Sequence, residues 1–335
     1  MRTLTLVFHA IALLGSAART APAQQPPAVL KLTDGRTIYI TGLKRWTVAM
    51  IQDSLNRYSP GDSLQSHACA AVLRYKLHFA DAAASTLRME PRARDVIFVD
   101  VREPQDSARV RYRAMPLDTT APRPEWRSAT SVIGASPRAF RAGAAAFLAG
   151  RIVAPADTAA VAIAAFFQNR SRREDYRTAL TVLATSRNFR DRAVAAILVT
   201  HFPDEQDTWA ALLDAIRESD GLVKEMANQA ISTVAERSRM TPDWKALAPA
   251  VYAILDGTSL FVLDDLIDIL APRSDIGPTL ASAFLAHGGE MLVNFAESPE
   301  KSRSAPARQL LTKLHGTDLG ADGAAWRAWI NTLKR

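Results

Sequence analysis

From about Pro137 to the C-terminus, apolar residues recur at helical spacing in short segments, each closed by glycine, proline or a small polar cluster. Arg190 to Val199, Val223 to Ala235, Leu260 to Ala271 and Ala305 to Gly316 share this design, and none exceeds about four turns. Helices that short are marginal in isolation, so their stability must come from burying an apolar stripe against neighbouring helices. The breaks at Ala154-Pro155, Asn169 to Arg173, Phe202-Pro203, Ser219-Asp220-Gly221, Met240-Thr241-Pro242, Gly257-Thr258, Ala271-Pro272, Gly288-Gly289 and Ser298-Pro299 carry the punctuation expected of helix ends, with Asp220, Thr241 and Asp275 as N-caps. The pattern predicts stacked helix pairs, an α-solenoid, with one long face left open for partners.

The residues ahead of this array follow a different period. Val29 to Leu32, Asp34-Gly35 and Thr37 to Thr41 read as a hairpin with a tight turn. Two helices follow, divided by Ser59-Pro60-Gly61-Asp62-Ser63. One is expected over Thr47 to Tyr58 on the stripe Val48, Ile51 and Leu55, the other over Gln65 to Phe79 on Cys69, Val72, Leu73 and Leu77. Val96 to Val101 is apolar at successive positions, which suits a covered strand. Ala108 to Ala114 alternates Val110 and Tyr112 with Arg109, Arg111 and Arg113, predicting a half-buried strand with a basic outer face. Pro116, Pro122 and Pro124 mark a stiff linker. The expected layout is a leader over 24–35, a small α+β (βααββ) domain over 36–115, a proline-rich linker over 116–128 and an α-helical repeat domain over 129–335.

The order strand, helix, helix, strand, strand resembles the POTRA domain, the polypeptide-transport-associated module of outer-membrane assembly and secretion machines. The resemblance rests on ITGLKRWT (40–47), where the family has a strand, a glycine and a polar helix start, and on SPGDSL (59–64), similar to the turn between its helices. HFADA (78–82) is similar to the Gly-Phe-x-x-Val exit of the second helix, with His78 in place of the glycine and Ala82 in place of the valine. VIFVDVREP (96–104) resembles the strand that ends in Val-x-Glu. The resemblance implies capture of extended peptides along a sheet edge, where backbone N–H and C=O groups supply the hydrogen bonds. The strand Val96 to Val101 and its neighbour Arg109 to Arg113 are the candidate edge, with Val96, Phe98, Arg109, Arg111 and Arg113 as candidate interaction residues.

The helical part resembles HEAT-type repeats. RDRAVAAILVTHF (190–202) and VKEMANQAISTVAE (223–236) are similar to inner helices of such repeats, and in the second Val223, Ala227, Ala230, Ile231 and Val234 form the stripe. ARQLLTKLHGTDLGADGAAWRAWI (307–330) looks like the terminal unit of bacterial HEAT proteins. There Trp326, Trp329, Ile330 and Leu333 fall on one helix face and would close the stack. The spacing between units is irregular, roughly 33 to 45 residues.

Arg2, the apolar run Leu4 to Leu14 and Ala21-Pro22-Ala23 read as a signal peptide over residues 1–23, cut before Gln24 or, alternatively, near Ala17. The apolar run is short for a membrane span and no cysteine follows it for lipid attachment. The expected location is therefore outside the cytoplasm, periplasmic or extracellular. Cys69 is the only cysteine, which excludes an intrachain disulfide and suits a buried thiol. The net charge of +7 is spread along the chain, a weak footprint for nucleic acid. Protein partners, with no nucleic acid and no transmembrane span, are the expectation.

Motifs that could carry chemistry are incomplete. Asp264, Asp265 and Asp268 form a single Asp-Asp-x-x-Asp, which suits a solvated helix face better than a diphosphate site. Ser298 and Lys301 make a bare Ser-x-x-Lys without the partner motifs it needs. His67 and Cys69 point to different sides of a helix and the histidines are scattered, so no metal, cofactor or catalytic residue is assigned. Arg170, Arg172 and Arg173 sit at a helix break, partly neutralised by Glu174 and Asp175. They are a candidate contact for an acidic partner or anionic envelope polymer, against the plainer reading of a solvated helix start. Trp126, beside the linker, is the candidate interdomain contact. The resulting expectation is a non-enzymatic protein–protein interaction scaffold or adaptor of the bacterial cell envelope. The alternative is an enzyme or cofactor-lyase-like protein with its site in the solenoid groove.

Overall fold

The computed structural model describes residues 28–31, 37–58, 60, 67–87, 96–109, 120–154, 156–257, 266–267, 269–271, 276–297 and 301–333. The expected signal peptide, the turn at Asp34-Gly35, Arg111, Arg113, Asp264, Asp265, Asp268, Asp275 and Ser298 lie outside them.

The first unit comprises β1 (Ala28–Lys31), β2 (Thr37–Thr41), α1 (Val48–Tyr58), α2 (His67–Tyr75), β3 (Asp81–Leu87) and β4 (Val96–Arg102) in a sheet of order β1-β2-β4-β3. β1 and β2 form the expected antiparallel hairpin, Ala28 opposite Ile40 and Lys31 opposite Thr37. β2 then runs parallel to β4, from Thr37 opposite Val96 to Thr41 opposite Asp100. A parallel pair needs a crossover, and α1 and α2 lie within it. Ile38 and Ile40 of β2 and Ile97, Val99 and Val101 of β4 form one core with Ile51 and Leu55 of α1 and Leu73 of α2. Cys69 is fully buried in that core.

The structure departs from expectation after α2. The second helix ends at Tyr75 rather than Phe79, and Asp81–Leu87 forms β3, antiparallel to β4 from Asp81 opposite Arg102 to Leu87 opposite Val96. The alanine-rich β3 has little strand propensity of its own, so pairing with β4 decides its state. Of the expected strand Ala108 to Ala114 only the first two residues are described, and they are not in a strand. Ala108 and Arg109 close a 3-10 turn, Pro104–Arg109, which follows β4 after Glu103. Val110 to Ala114 lie outside the described residues.

Beyond a 3-10 turn at Pro124–Trp126 the described chain is helical: α3 (Arg127–Ala135), α4 (Pro137–Leu148), α5 (Thr158–Gln168), α6 (Arg173–Thr185), α7 (Phe189–Leu198), α8 (Gln206–Ala215), α9 (Gly221–Arg237), α10 (Trp244–Gly257), α11 (Pro278–Ala296), α12 (Lys301–His315) and α13 (Gly323–Leu333). Side chains satisfy exposed N–H groups at several starts. Ser136 caps α4, Asp157 caps α5, Asn188 caps α7 and Asp220 caps α9. At α10 the acceptor is Asp243, not Thr241. α6 packs on α7 and on α8, α8 on α9 and α10, and α7 on α9. α10 packs on α11, and α11 packs against α12 and α13; the break expected at Gly288-Gly289 does not occur, because both glycines lie inside α11 where Leu255 and Ile330 approach its backbone closely. Trp326 and Ile330 of α13 are buried, with Trp329 and Leu333 packed against the same core, as their spacing predicts. Among the described residues no helix is long and apolar enough to cross a membrane.

α3 packs on α7, and α4 on both α5 and α9. Every residue from Asp191 to Thr200 is consequently buried, and α7 is enclosed on all sides. The open face expected along the inner helices therefore does not extend over α7. Trp126 is also relocated. It is 1 % exposed and belongs to the core of the helical part, because its 3-10 turn leads straight into α3. Tyr39 of β2 packs against that core.

Candidate functional site: an outer strand of the sheet

The geometry of the sheet is set by a lock between the end of β4 and the start of α1. Gly42 has φ +88°, and a Cβ there would lie 1.9 Å from the Val101 carbonyl oxygen. Only glycine permits that approach. Glu103, fully buried, accepts the backbone N–H groups of Lys44 at 2.6 Å, Arg45 at 2.9 Å and Trp46 at 2.9 Å. Burial by itself would raise the Glu103 pKa. The N–H groups of Lys44, Trp46 and Arg45 and the Gln105 amide outweigh it and hold the carboxyl below its ordinary value. Lys44 Nζ is paired with Asp106 at 2.5 Å, fixing the following 3-10 turn to the same point.

A second lock positions β3. His78 has φ 56°, the left-handed conformation that turns the chain out of α2. Phe79 then packs beside Trp46, with ring centroids 5.1 Å apart. Arg74 pairs with the buried Asp81 at 2.5 Å, so the first residue of β3 is tied to the last turn of α2.

These locks leave β3 as an outer strand, paired only with β4 among the described strands. In an antiparallel ladder alternate residues turn their N–H and C=O groups away from the partner strand. Among the described residues no strand pairs with the side of β3 turned away from β4, where alternate residues of Asp81–Leu87 carry their main-chain donors and acceptors. Edge strands are ordinarily protected by lysine, proline, short length or inward-pointing charge. Asp81-Ala-Ala-Ala-Ser-Thr-Leu87 contains no lysine and no proline, and its one charge is buried and paired with Arg74. The opposite edge is different. β1 spans four residues, follows Pro26-Pro27 and ends in Lys31.

The candidate residues named from sequence are dispersed. Val96 and Phe98 lie in β4, a central strand flanked by β2 and β3, so the edge expected there is already occupied. The continuous apolar run of this segment suits a strand paired on both sides. Arg109 ends the 3-10 turn rather than lining a strand. Arg170 pairs with Asp175 and stacks 4.5 Å over Phe166. Arg173 pairs with Glu205 at 2.7 Å and covers Phe202 at 4.8 Å. Those two arginines hold helix ends together, and Arg172 alone of the three is exposed without a side-chain partner among the described residues. The edge strand β3 had only a faint signal in sequence, the step from alanine to Ser85-Thr86 after the His78-Phe79 exit. Among the described residues no three His, Cys, Asp or Glu side chains gather as metal ligands would. Comparisons of the chain with protein-family models, with curated proteins and with solved structures found no match.

Proposed function

We propose that this chain is a non-enzymatic adaptor of the bacterial cell envelope that captures extended peptide segments as an added strand on β3. In this reading the first unit is a POTRA-like domain. The helical part is a HEAT-like α-solenoid that serves as its rigid body, and residues 1–23 direct export. The observation that carries the reading is β3, which pairs only with β4 among the described strands and has no lysine or proline along it. Added-strand binding draws its affinity from main-chain hydrogen bonds, which makes it tolerant of sequence. The packing of α6 on α8, α8 on α10 and α7 on α9 supports the solenoid assignment.

A proline scan of Ala83, Ala84 and Ser85 tests the edge. Proline removes one N–H, which is tolerated where that N–H faces outward and disruptive where it faces β4. At least one variant is expected to keep its melting temperature yet lose binding of a short labelled Val/Thr-rich peptide, read by fluorescence anisotropy. Retained binding in every well-folded proline variant would sink the proposal.

A further inference from the structure

Among the described helices α12 carries the largest excess of one charge. Its fifteen residues include Lys301, Arg303, Arg308 and Lys313 and no Asp or Glu. The helix dipole favours cations only in the last turn. That accounts for Lys313, but not for Lys301 at the start or Arg308 in the middle. Ala305, Arg308, Gln309, Thr312 and Lys313 line one side of α12, and with Asp318 of the following turn they bound a groove of about 440 Å³. The groove already holds one oxyanion, the chain's own. Asp318 Oδ1 accepts the Gly320 N–H at 2.9 Å, and Oδ2 accepts from Arg308 Nη2 at 2.7 Å. The Gly320 N–H and, after it, the Arg308 guanidinium hold that carboxyl below its ordinary value. The other donors of the groove are not so engaged. Among the described residues the Gln309 and Thr312 side chains form no hydrogen bond, and Lys313 Nζ donates to a neutral acceptor, the Ala271 carbonyl, at 2.8 Å.

We infer that the α12 groove is a phosphate-binding site, in which Arg308 and Lys313 supply the charge, Gln309 and Thr312 the hydrogen bonds, and Asp318 competes as an internal occupant. A carboxylate has two oxygens, and Asp318 matches them with one main-chain N–H and one guanidinium nitrogen. The donors left over belong to three further side chains within one turn of helix, at 309, 312 and 313. They suit a tetrahedral anion with more oxygens and more charge than a carboxylate, for which arginine acts as a fork and lysine as a point charge. Asp318 makes the site selective. Another carboxylate gains little by displacing it, whereas a phosphate brings additional charge to Lys313 and additional acceptors to Gln309 and Thr312. The phosphate is either a free anion or the headgroup of a phospholipid, and the two share this chemistry.

Calorimetric titration of the full chain with inorganic pyrophosphate tests the site. Co-sedimentation with vesicles of phosphatidylcholine alone, or of equimolar phosphatidylcholine and phosphatidylglycerol, separates the two sources. Binding that weakens with added salt is expected. Lys313→Gln should weaken it by about tenfold, and Thr312→Val, which leaves the charge unchanged, by about fivefold. Asp318→Asn keeps an acceptor for the Gly320 N–H but releases Arg308, and should tighten binding by about tenfold. Lys245→Gln removes the same charge as Lys313→Gln from exposed α10 and should leave binding unchanged. Melting temperatures within a few degrees of the parent show that each variant folds. The same variant order on anionic vesicles, with pyrophosphate inert, would support the site and assign it to a headgroup. Four results would overturn the proposal: neither probe binds, Thr312→Val has no effect, Asp318→Asn fails to tighten binding, or Lys245→Gln weakens it as much as Lys313→Gln.

Discussion

His78 and Glu103 show how single residues fix the first unit. His78 occupies a backbone conformation that costs a non-glycine residue about 1 kcal/mol. His78→Gly is therefore expected to stabilise the first unit by roughly 0.5–1 kcal/mol, seen as a higher midpoint in urea. An unchanged or lowered midpoint would mean that the histidine side chain compensates for its backbone. Glu103 acts in the opposite sense. Its carboxyl is held below the ordinary value, so the stability it contributes is present above the unfolded glutamate pKa and lost as pH falls through the folded value. Glu103→Gln should cost about 1–3 kcal/mol at neutral pH, and the gap between variant and parent should narrow below about pH 4. A gap independent of pH from neutral to acid would refute the assignment.

At the scale of elements, α7 carries the clearest constraint. It buries Asp191 and Arg192 along with its apolar residues. Arg192 pairs with Glu218 at 2.6 Å, and Glu218 is fully buried. Removing one partner strands the other charge, so Arg192→Ala is expected to destabilise by about 3–5 kcal/mol, while Arg192→Met with Glu218→Leu should recover most of that loss. Thermal or denaturant unfolding of the three variants decides it, and a double variant no better than the single would count against a pairing role. Asp191 differs. Burial raises its pKa against the lowering effect of the Arg123 N–H that it accepts, so its ionised form is a cost in the fold. The fold gains from its protonation below the unfolded aspartate pKa and loses that gain as pH rises through the folded value. Asp191→Asn, which keeps an acceptor for Arg123, is expected to match or exceed the parent in stability at neutral pH and to lose that advantage on acidification.

At the scale of the whole molecule, the described residues form two hydrophobic clusters, one spanning β2, α1, α2 and β4, the other running from Trp126 to Ile330. Separate cores predict separate losses. Leu73→Ala, at a fully buried position, should cost about 2–5 kcal/mol in the first unit and leave amide exchange in α7 unchanged. Accelerated exchange in Ala193 to Leu198 would instead show that the contact of Tyr39 with the helical core couples the two.

Periodicity was enough to read off the helices of the second unit, the hairpin of β1 and β2, the buried Cys69 and the closing face of Trp326 and Ile330, because each follows from side chains a few residues apart burying one stripe. Residues distant in sequence decided the rest. Asp81–Leu87 is alanine-rich and becomes a strand only because β4 offers it a ladder, and that same pairing moved the edge away from Val96 and Phe98. Asp175 beside Arg170 was within reach of the sequence, whereas the Glu205 that pairs with Arg173 comes from 32 residues further along the chain. α7 looks amphipathic as a segment, yet it is enclosed because α3 and α9 close on it from other parts of the chain. Local spacing determines which residues must be hidden. What hides them, and which edge or face is then left over, depends on contacts between segments that no local pattern encodes.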